Sequence, residues 1–162
     1  MLDYTVQPKT IATWFVNHVD RDAGEAITHL KLQKLVYYAQ AWYLANFDKP
    51  LCEEDHQAWA HGPVYKSLYD KYRDHGWQSL PVERHKSIDS NLEGFLKSVF
   101  DEYGQYGAKK LEELTHSETP WIMARGDVEP WERSSALIDK LLMRNFYANK
   151  IGKDDIEQLP AQ

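Results

Sequence analysis

One stretch of the sequence, beginning at Thr28, constrains the fold more than any other. Its apolar residues recur at intervals of three and four, the spacing that places side chains along one face of an α-helix. They are Leu32, Leu35, Val36, Ala39, Trp42 and Tyr43. Thr28 precedes this wide stripe as a cap residue, whose side chain accepts a backbone hydrogen bond. We therefore predict a helix over residues 29–46 and expect it to be the central element of the core.

Helical spacing also dominates the rest of the chain, whereas the alternation typical of strands is rare. The pattern predicts a compact, mainly α fold of about six helices around the central one, with at most a very small β element near residues 51–60 or 76–82. The length of 162 residues is typical of one domain. We expect a single domain over residues 1–162, with its core at 8–150 and a polar C-terminal tail at 151–162.

Two helix starts are predicted from local signals. Pro63, directly after Gly62, is typical of the first turn of a helix. Ser134 or Ser135 is suited to cap the last helix, which Gly152 would end. The face that we expect this helix to bury comprises Leu137, Ile138, Leu141, Leu142, Asn145 and Phe146.

Charge and cysteine content exclude several classes of protein. Lys and Arg total 19 against 25 Asp and Glu, a net charge of -6, so the chain lacks the positive field that nucleic-acid binding requires. The start of the chain has no apolar signal core, and no run of apolar residues is long enough to span a bilayer. A single cysteine, Cys52, indicates a reducing compartment. We expect a cytoplasmic protein that binds neither nucleic acid nor membrane.

The histidines raise the question of a metal site. His56 and His61 lie near Glu53, Glu54 and Asp55, the densest group of possible ligands in the sequence. Five residues is not the spacing that places two imidazoles on one helix face. We favour a solvated acidic turn here, with no metal and no other cofactor.

Groups suited to catalysis are adjacent in one other segment, residues 115–118, which bring together a hydroxyl, an imidazole and a carboxylate. Neighbours of this kind usually cap helix ends, and we favour that interpretation. No phosphate-binding glycine loop or nucleophile elbow occurs, and Cys52 has no obvious basic neighbour that would activate its thiol. A hydrolase or metal enzyme built around His56, His61 or His116 is the least favoured hypothesis, and we expect no enzymatic activity.

Basic and aromatic side chains lie together on and beside the second and third predicted helices. Such a mixture gives a large, rigid contact area with a polar rim, as protein interfaces require. The alternative is an ordinary solvated helix face whose rings are half buried in the core. The predicted partner-binding residues are Lys34, Tyr38, His61, Tyr65, Lys66 and Tyr69.

Three blocks of sequence carry a family resemblance. They are LKLQKLVYYAQAWYLA (30–45), AWAHGPVYKSLYDKYRDHG (58–76) and LEELTHSETPW (111–121). In this order they closely resemble the Panacea domain, a family found in phage-associated proteins and in antitoxins, including SocA-like proteolytic adaptors. The resemblance covers residues 8–150. The family motif falls here on Leu32, Lys34, Leu35, Tyr37, Tyr38, Gln40, Trp42, Trp59, Gly62, Pro63, Val64, His116, Pro120 and Trp121.

The resemblance implies an antitoxin that neutralises a cognate toxin by direct binding, either occluding it or handing it to a protease. It implies no enzymatic activity. The alternative is a phage-associated regulatory adaptor that binds a host or phage protein and has no cognate toxin. Because Leu32, Trp42 and Trp121 also fit core positions, the motif is suited to specify the shared fold rather than the toxin contact. A family that binds many toxins should vary its contact surface.

Overall fold

The computed structural model describes residues 2–84 and 87–151, and this part of the chain is mainly helical. Its α-helices are α1 (Pro8–His18), α2 (His29–Phe47), α3 (Lys66–Tyr72), α4 (Ser90–Tyr103), α5 (Ala108–His116), α6 (Thr119–Arg125) and α7 (Lys140–Ala148). A 3-10 turn, Arg73–His75, follows α3. The strands β1 (Gln57–Trp59) and β2 (Gly62–Val64) form an antiparallel hairpin. The prediction of a mainly α fold with a very small β element is confirmed.

Helix α2 is the central element, as predicted. Thr28 Oγ1 accepts a hydrogen bond from Lys31 N at 3.3 Å, and the helix ends where Asp48 adopts a left-handed conformation. All residues from 32 to 44 are buried, because α1, α4, α5 and α7 pack around this one helix. A helix enclosed in this way leaves no solvated face between its ends.

The hairpin corrects the prediction of a helix start at Gly62 and Pro63. Both residues lie in β2, and α3 begins only at Lys66. Pro63 fits the strand because β2 lies at the edge of the sheet, where a missing N–H interrupts no ladder. On its other side, β1 pairs with residues 136–138, since Ala58 N donates to Ala136 O and Ile138 N donates to His56 O, both at 2.8 Å.

The last helix begins later than predicted. Residues 136–138 are extended along β1, so α7 starts at Lys140 and is capped by Asp139, whose Oδ2 accepts a hydrogen bond from Leu142 N. The predicted buried face is therefore wrong for Leu137 and Leu141, which are 59% and 62% exposed. The predicted burial of Ile138 is confirmed, and Phe146 is partly buried against the core. The residues that α7 buries are Met143 and Tyr147.

No helix within residues 2–84 and 87–151 combines the length and the apolar character needed to cross a bilayer. The predicted tail at 151–162 lies outside the described residues except for Ile151, and so does the predicted helix end at Gly152.

Candidate functional site

The polar side chains of α2 point into the interior and bind the backbone of distant segments. Gln33 Oε1 accepts from Tyr65 N at 2.9 Å, and Gln33 Nε2 donates to Tyr65 O at 3.2 Å. About two helical turns further along α2, Gln40 Oε1 accepts hydrogen bonds from Leu51 N and Cys52 N, and Gln40 Nε2 donates to Cys52 O. Each amide thus satisfies buried backbone groups that would otherwise cost folding energy. These side chains fix the chain between α2 and α3 to the central helix.

Lys34 is buried beneath the hairpin. Its Nζ donates to Pro63 O at 3.4 Å, and burial lowers the pKa of its ammonium from 10.5 to about 8, with Glu112 opposing the shift. Gly62 passes over it at a φ of +110°, and a Cβ at this position would lie 2.4 Å from Lys34 Cε. Glycine is therefore required here both by conformation and by space. The motif residues Lys34 and Gly62 fit each other as parts of the scaffold.

Glu118 accepts hydrogen bonds from two buried tyrosines. Tyr38 Oη and Tyr147 Oη both donate to Glu118 Oε1 at 2.8 Å, and Tyr147 Oη also lies 3.2 Å from Tyr37 Oη. Burial raises the pKa of the Glu118 carboxyl, and the two phenol donors and Lys150 oppose this. Burial likewise raises the pKa of all three tyrosines. This cluster joins α2, α6 and α7.

The prediction that residues 115–118 cap helix ends is confirmed in position, since Ser117 is the C-cap of α5 and Glu118 the N-cap of α6. Ser117 Oγ donates to Leu114 O, whereas the Glu118 carboxylate binds the tyrosines and no backbone N–H of the helix.

A second internal cluster surrounds Trp121. Its Nε1 donates to Trp59 O at 2.8 Å, and the His116 ring stacks on its indole with a centroid separation of 3.9 Å. The Arg125 guanidinium lies over the same indole, 4.9 Å from the ring centroid. His116 is therefore held as a packing partner of Trp121 between α5 and α6.

Sequence analysis missed the role of Arg125. Its Nη1 donates to Ala58 O at 2.8 Å, while its Nη2 donates to Glu129 O at 2.6 Å and to Glu132 O at 2.5 Å. The side chain is almost fully buried. It thus ties the hairpin and the loop after α6 to one another. Nothing local distinguishes such an arginine from one that ends an exposed helix, because its acceptors are backbone carbonyls.

Neither Cys52 nor His56 is in a setting that would activate it as a nucleophile or a base. Burial raises the pKa of the Cys52 thiol to about 12, which confirms the prediction of a passive thiol. His56 is buried against the Tyr65 ring, 3.6 Å between centroids, and burial holds its pKa well below the ordinary value. The sequence predicted a solvated turn here, and for His56 this prediction is wrong. Among the described residues, no three His, Cys, Asp or Glu side chains form a group able to hold a metal ion.

Two surface grooves are candidates for a catalytic cleft. The larger, of 560 Å³, lies between α1 and the segment before α4. The smaller, of 190 Å³, lies between α2, the hairpin and α5, and is lined by Lys34, His61, Trp77 and Glu112 among others. Within the described residues, neither groove is lined by a serine or cysteine beside a histidine.

Three of the six predicted partner-binding residues lie in the interior. Lys34, Tyr38 and Tyr65 are at most 1% exposed, so the prediction that they form an exposed face is wrong. The reason is that α2 is enclosed on all sides, and the Tyr65 ring lies under the hairpin against His56. The side chains of His61, Lys66 and Tyr69 do reach the surface, and we call these three residues the hairpin surface.

The side chains of the hairpin surface all have partners within the chain. His61 Nδ1 lies 3.0 Å from Glu112 Oε1, and Lys66 Nζ lies 2.6 Å from Asp70 Oδ1. The ring of Tyr69 packs edge to face on Trp59, 4.7 Å between centroids.

Large apolar side chains are exposed chiefly elsewhere. Nine are exposed in the described residues, and six of these fall between residues 122 and 141. They are Ile122, Met123, Val128, Trp131, Leu137 and Leu141, which we call the α6–α7 surface. This surface was not predicted from the sequence, because the helical spacing assigned Leu137 and Leu141 to a buried helix face.

Comparisons with known proteins find related sequences. The profile of the family described as "Antitoxin SocA-like, Panacea domain" matches residues 32–122. The chain is also similar to antitoxin SocA of Caulobacter vibrioides, with 24% identity over 140 residues, covering 77% of this chain and 74% of the relative. No solved structure was found to match the chain.

The matched residues include Lys34, Glu118 and Trp121 together with the hairpin, whereas Tyr147 and Arg125, which complete two of the buried clusters, lie beyond residue 122. The matched blocks of sequence are those that resemble the Panacea domain, and in the structure they build the scaffold. The chain belongs to the family of antitoxin SocA-like proteins with a Panacea domain.

Proposed function

We propose that this protein is an antitoxin that neutralises a cognate toxin by binding it directly, without catalysing a reaction. The observation that carries the proposal is the relationship to antitoxin SocA over 77% of the chain. The buried side chains of Glu118 and Lys34 are engaged within the chain, as parts of a scaffold are. Glu118 and Tyr38 bind each other, and Lys34 lies beneath Gly62.

Growth rescue tests this proposal. The product of the neighbouring gene is expressed in a host in which it arrests growth, and this chain is expressed with it. The antitoxin is expected to restore growth and to co-purify with the toxin as a stable complex. The proposal would be contradicted if growth stayed arrested and the chain did not bind the neighbouring gene product. The Trp42→Ala variant, whose fold we expect to be lost, controls for nonspecific effects of expression.

Two ways of neutralising the toxin remain to be separated, occlusion and delivery to a protease. Occlusion leaves the half-life of the toxin unchanged and keeps it in the complex. Delivery to a protease shortens that half-life only when the antitoxin and the protease are both present. Pulse–chase labelling of the toxin, with and without the antitoxin, distinguishes these outcomes.

A regulatory adaptor without a cognate toxin uses the same scaffold on a different client. Capture of partners from the native cell separates this alternative from the antitoxin, because the client is then encoded away from the neighbouring gene and arrests no growth.

A further inference from the structure

The α6–α7 surface has the composition of a protein contact site. Trp131 is 75% exposed and Met123 is 63% exposed, and both belong to residue types that are enriched in interfaces. Tryptophan in particular supplies a large share of binding energy where it enters a pocket on a partner. Six of the nine large apolar side chains that are exposed in the described residues fall within the twenty residues 122–141.

This surface is held in place before any partner arrives. The two Arg125 hydrogen bonds to Glu129 O and Glu132 O anchor the loop that carries Trp131. The pairing of residues 136–138 with β1 anchors Leu137, and α6 and α7 contact one another. A surface that is already ordered loses less entropy on binding than a flexible loop does.

Acidic side chains outnumber basic ones around this surface. Asp127, Glu129 and Glu132 are exposed, and none of them forms an ion pair with a residue that the structure describes. Arg133 is the one basic residue between positions 126 and 139. An apolar centre with an acidic rim is complementary to an apolar contact surrounded by lysines and arginines.

The hairpin surface lacks these properties. His61 and Lys66 already face carboxylates of the same chain, and the Tyr69 ring packs on Trp59. The family profile also ends at residue 122, where the α6–α7 surface begins. The residues that the family shares therefore build the scaffold, while the exposed apolar residues follow them in the chain.

Resting on the proposed function, we infer that the toxin docks on the α6–α7 surface and that it presents a basic surface with an apolar centre. The surface is the contact site, and the acidic rim steers the encounter. The hairpin surface does not contribute an anchor.

Binding of the purified toxin to matched variants tests this inference. The probe is the neighbouring gene product whose toxicity the wild-type chain relieves. Trp131→Ser and Met123→Ser are each expected to weaken binding about 30-fold or more. Trp77→Ser is the matched control, since Trp77 is 79% exposed and lines the groove beside His61. Its affinity should stay within about 3-fold of the wild type. Circular dichroism verifies that each variant is folded.

The acidic rim is tested separately. The double variant Asp127→Lys, Glu129→Lys leaves the loop its anchor, because Arg125 binds the backbone carbonyl of Glu129 and because the Glu132 carboxylate, whose charge acts on Arg125, is retained. Its association rate should fall about 10-fold at low salt, and the difference should shrink at high salt. An association rate that is unchanged, or faster, contradicts a basic partner.

Two further results would overturn the docking site. One is that Trp77→Ser loses toxin binding while Trp131→Ser binds the toxin as tightly as the wild type. This result would place the contact on the hairpin side and would leave the proposed antitoxin function intact. The other is a wild-type chain that sediments as a dimer which Trp131→Ser dissociates, because a second copy then covers the surface. Absence of toxin binding by the wild type instead contradicts the proposed function itself.

Discussion

Aromatic and apolar residues serve two different purposes in the interior around α2 and in the α6–α7 surface. In the interior, several rings bind a partner in the same chain through their polar atoms, as Tyr38 and Tyr147 bind Glu118 and Trp42 binds Tyr103. On the α6–α7 surface, Trp131 and Met123 face water. A ring whose polar group is satisfied internally specifies the fold, whereas an exposed ring on an anchored loop is available to another protein.

The two regions also differ in their relation to the family. Most residues of the buried clusters lie within residues 32–122, the part that the family profile matches, and five of the six exposed apolar residues follow it. If one scaffold serves different partners in this family, such a division is expected, because a surface outside the shared core changes without disturbing the fold.

Trp42→Ala should produce the largest loss of stability. Trp42 is 8% exposed, and its Nε1 donates to Tyr103 Oη at 2.7 Å. Removing a buried tryptophan costs about 3–5 kcal/mol, a large part of the stability of a small domain. Urea unfolding followed by circular dichroism measures this loss. Trp77→Ala is the control and should change the free energy of unfolding by less than about 0.5 kcal/mol. Equal losses in both variants would remove the distinction between the two regions.

Lys34→Met should change how stability depends on pH. Because the folded chain lowers the pKa of Lys34 from 10.5 to about 8, the unfolded chain binds more protons at this group between these values. The free energy of unfolding of the wild type should therefore rise with pH from about 8 to 10.5 relative to Lys34→Met, by up to about 3 kcal/mol. Urea titrations at several pH values measure the difference. Lys66→Met controls for the loss of one surface charge, and a flat difference for Lys34→Met would show that Lys34 is not desolvated.

Tyr147→Phe should have a smaller effect. The change removes the hydrogen bond to Glu118 and the contact with Tyr37 Oη, while the ring stays in place. Because Tyr38 Oη still donates to Glu118 Oε1, the expected cost is that of one hydrogen bond, about 0.5–1.5 kcal/mol. Thermal or urea unfolding measures it, and Tyr4→Phe, at a ring that is 62% exposed, is the control. A stability equal to that of the wild type would mean that the tyrosine cluster does not hold α7 to α2.

Trp131→Ser should have the smallest effect on stability, within about 0.5 kcal/mol of the wild type. Its ring is 75% exposed, so few contacts are lost. The same unfolding measurement applies. A loss above about 2 kcal/mol would mean that Trp131 supports the fold and is not a free anchor.

The central helix was predictable from the sequence, because apolar spacing and the Thr28 cap are local signals. The enclosure of its polar face was not. Gln33 and Lys34 find their partners about thirty residues away, at Tyr65 and Pro63, and nothing in α2 itself reveals those partners. Amphipathic reasoning places such side chains in solvent by default.

The same limit explains the errors at the C-terminal end. The late start of α7 depends on the pairing of residues 136–138 with β1, about eighty residues earlier in the chain. The serines at positions 134 and 135 gave a plausible local cap signal, which this distant pairing overrides. The exposed apolar residues of the α6–α7 surface were missed for this reason, since a helical pattern read from Ser135 places Leu137 and Leu141 in the core.

Hydrogen–deuterium exchange of the protein with and without its toxin tests the central claim most directly. The account predicts that toxin binding slows amide exchange within residues 122–141 and leaves residues 61–77 unchanged. Slower exchange within residues 61–77, with residues 122–141 unaffected, would contradict it.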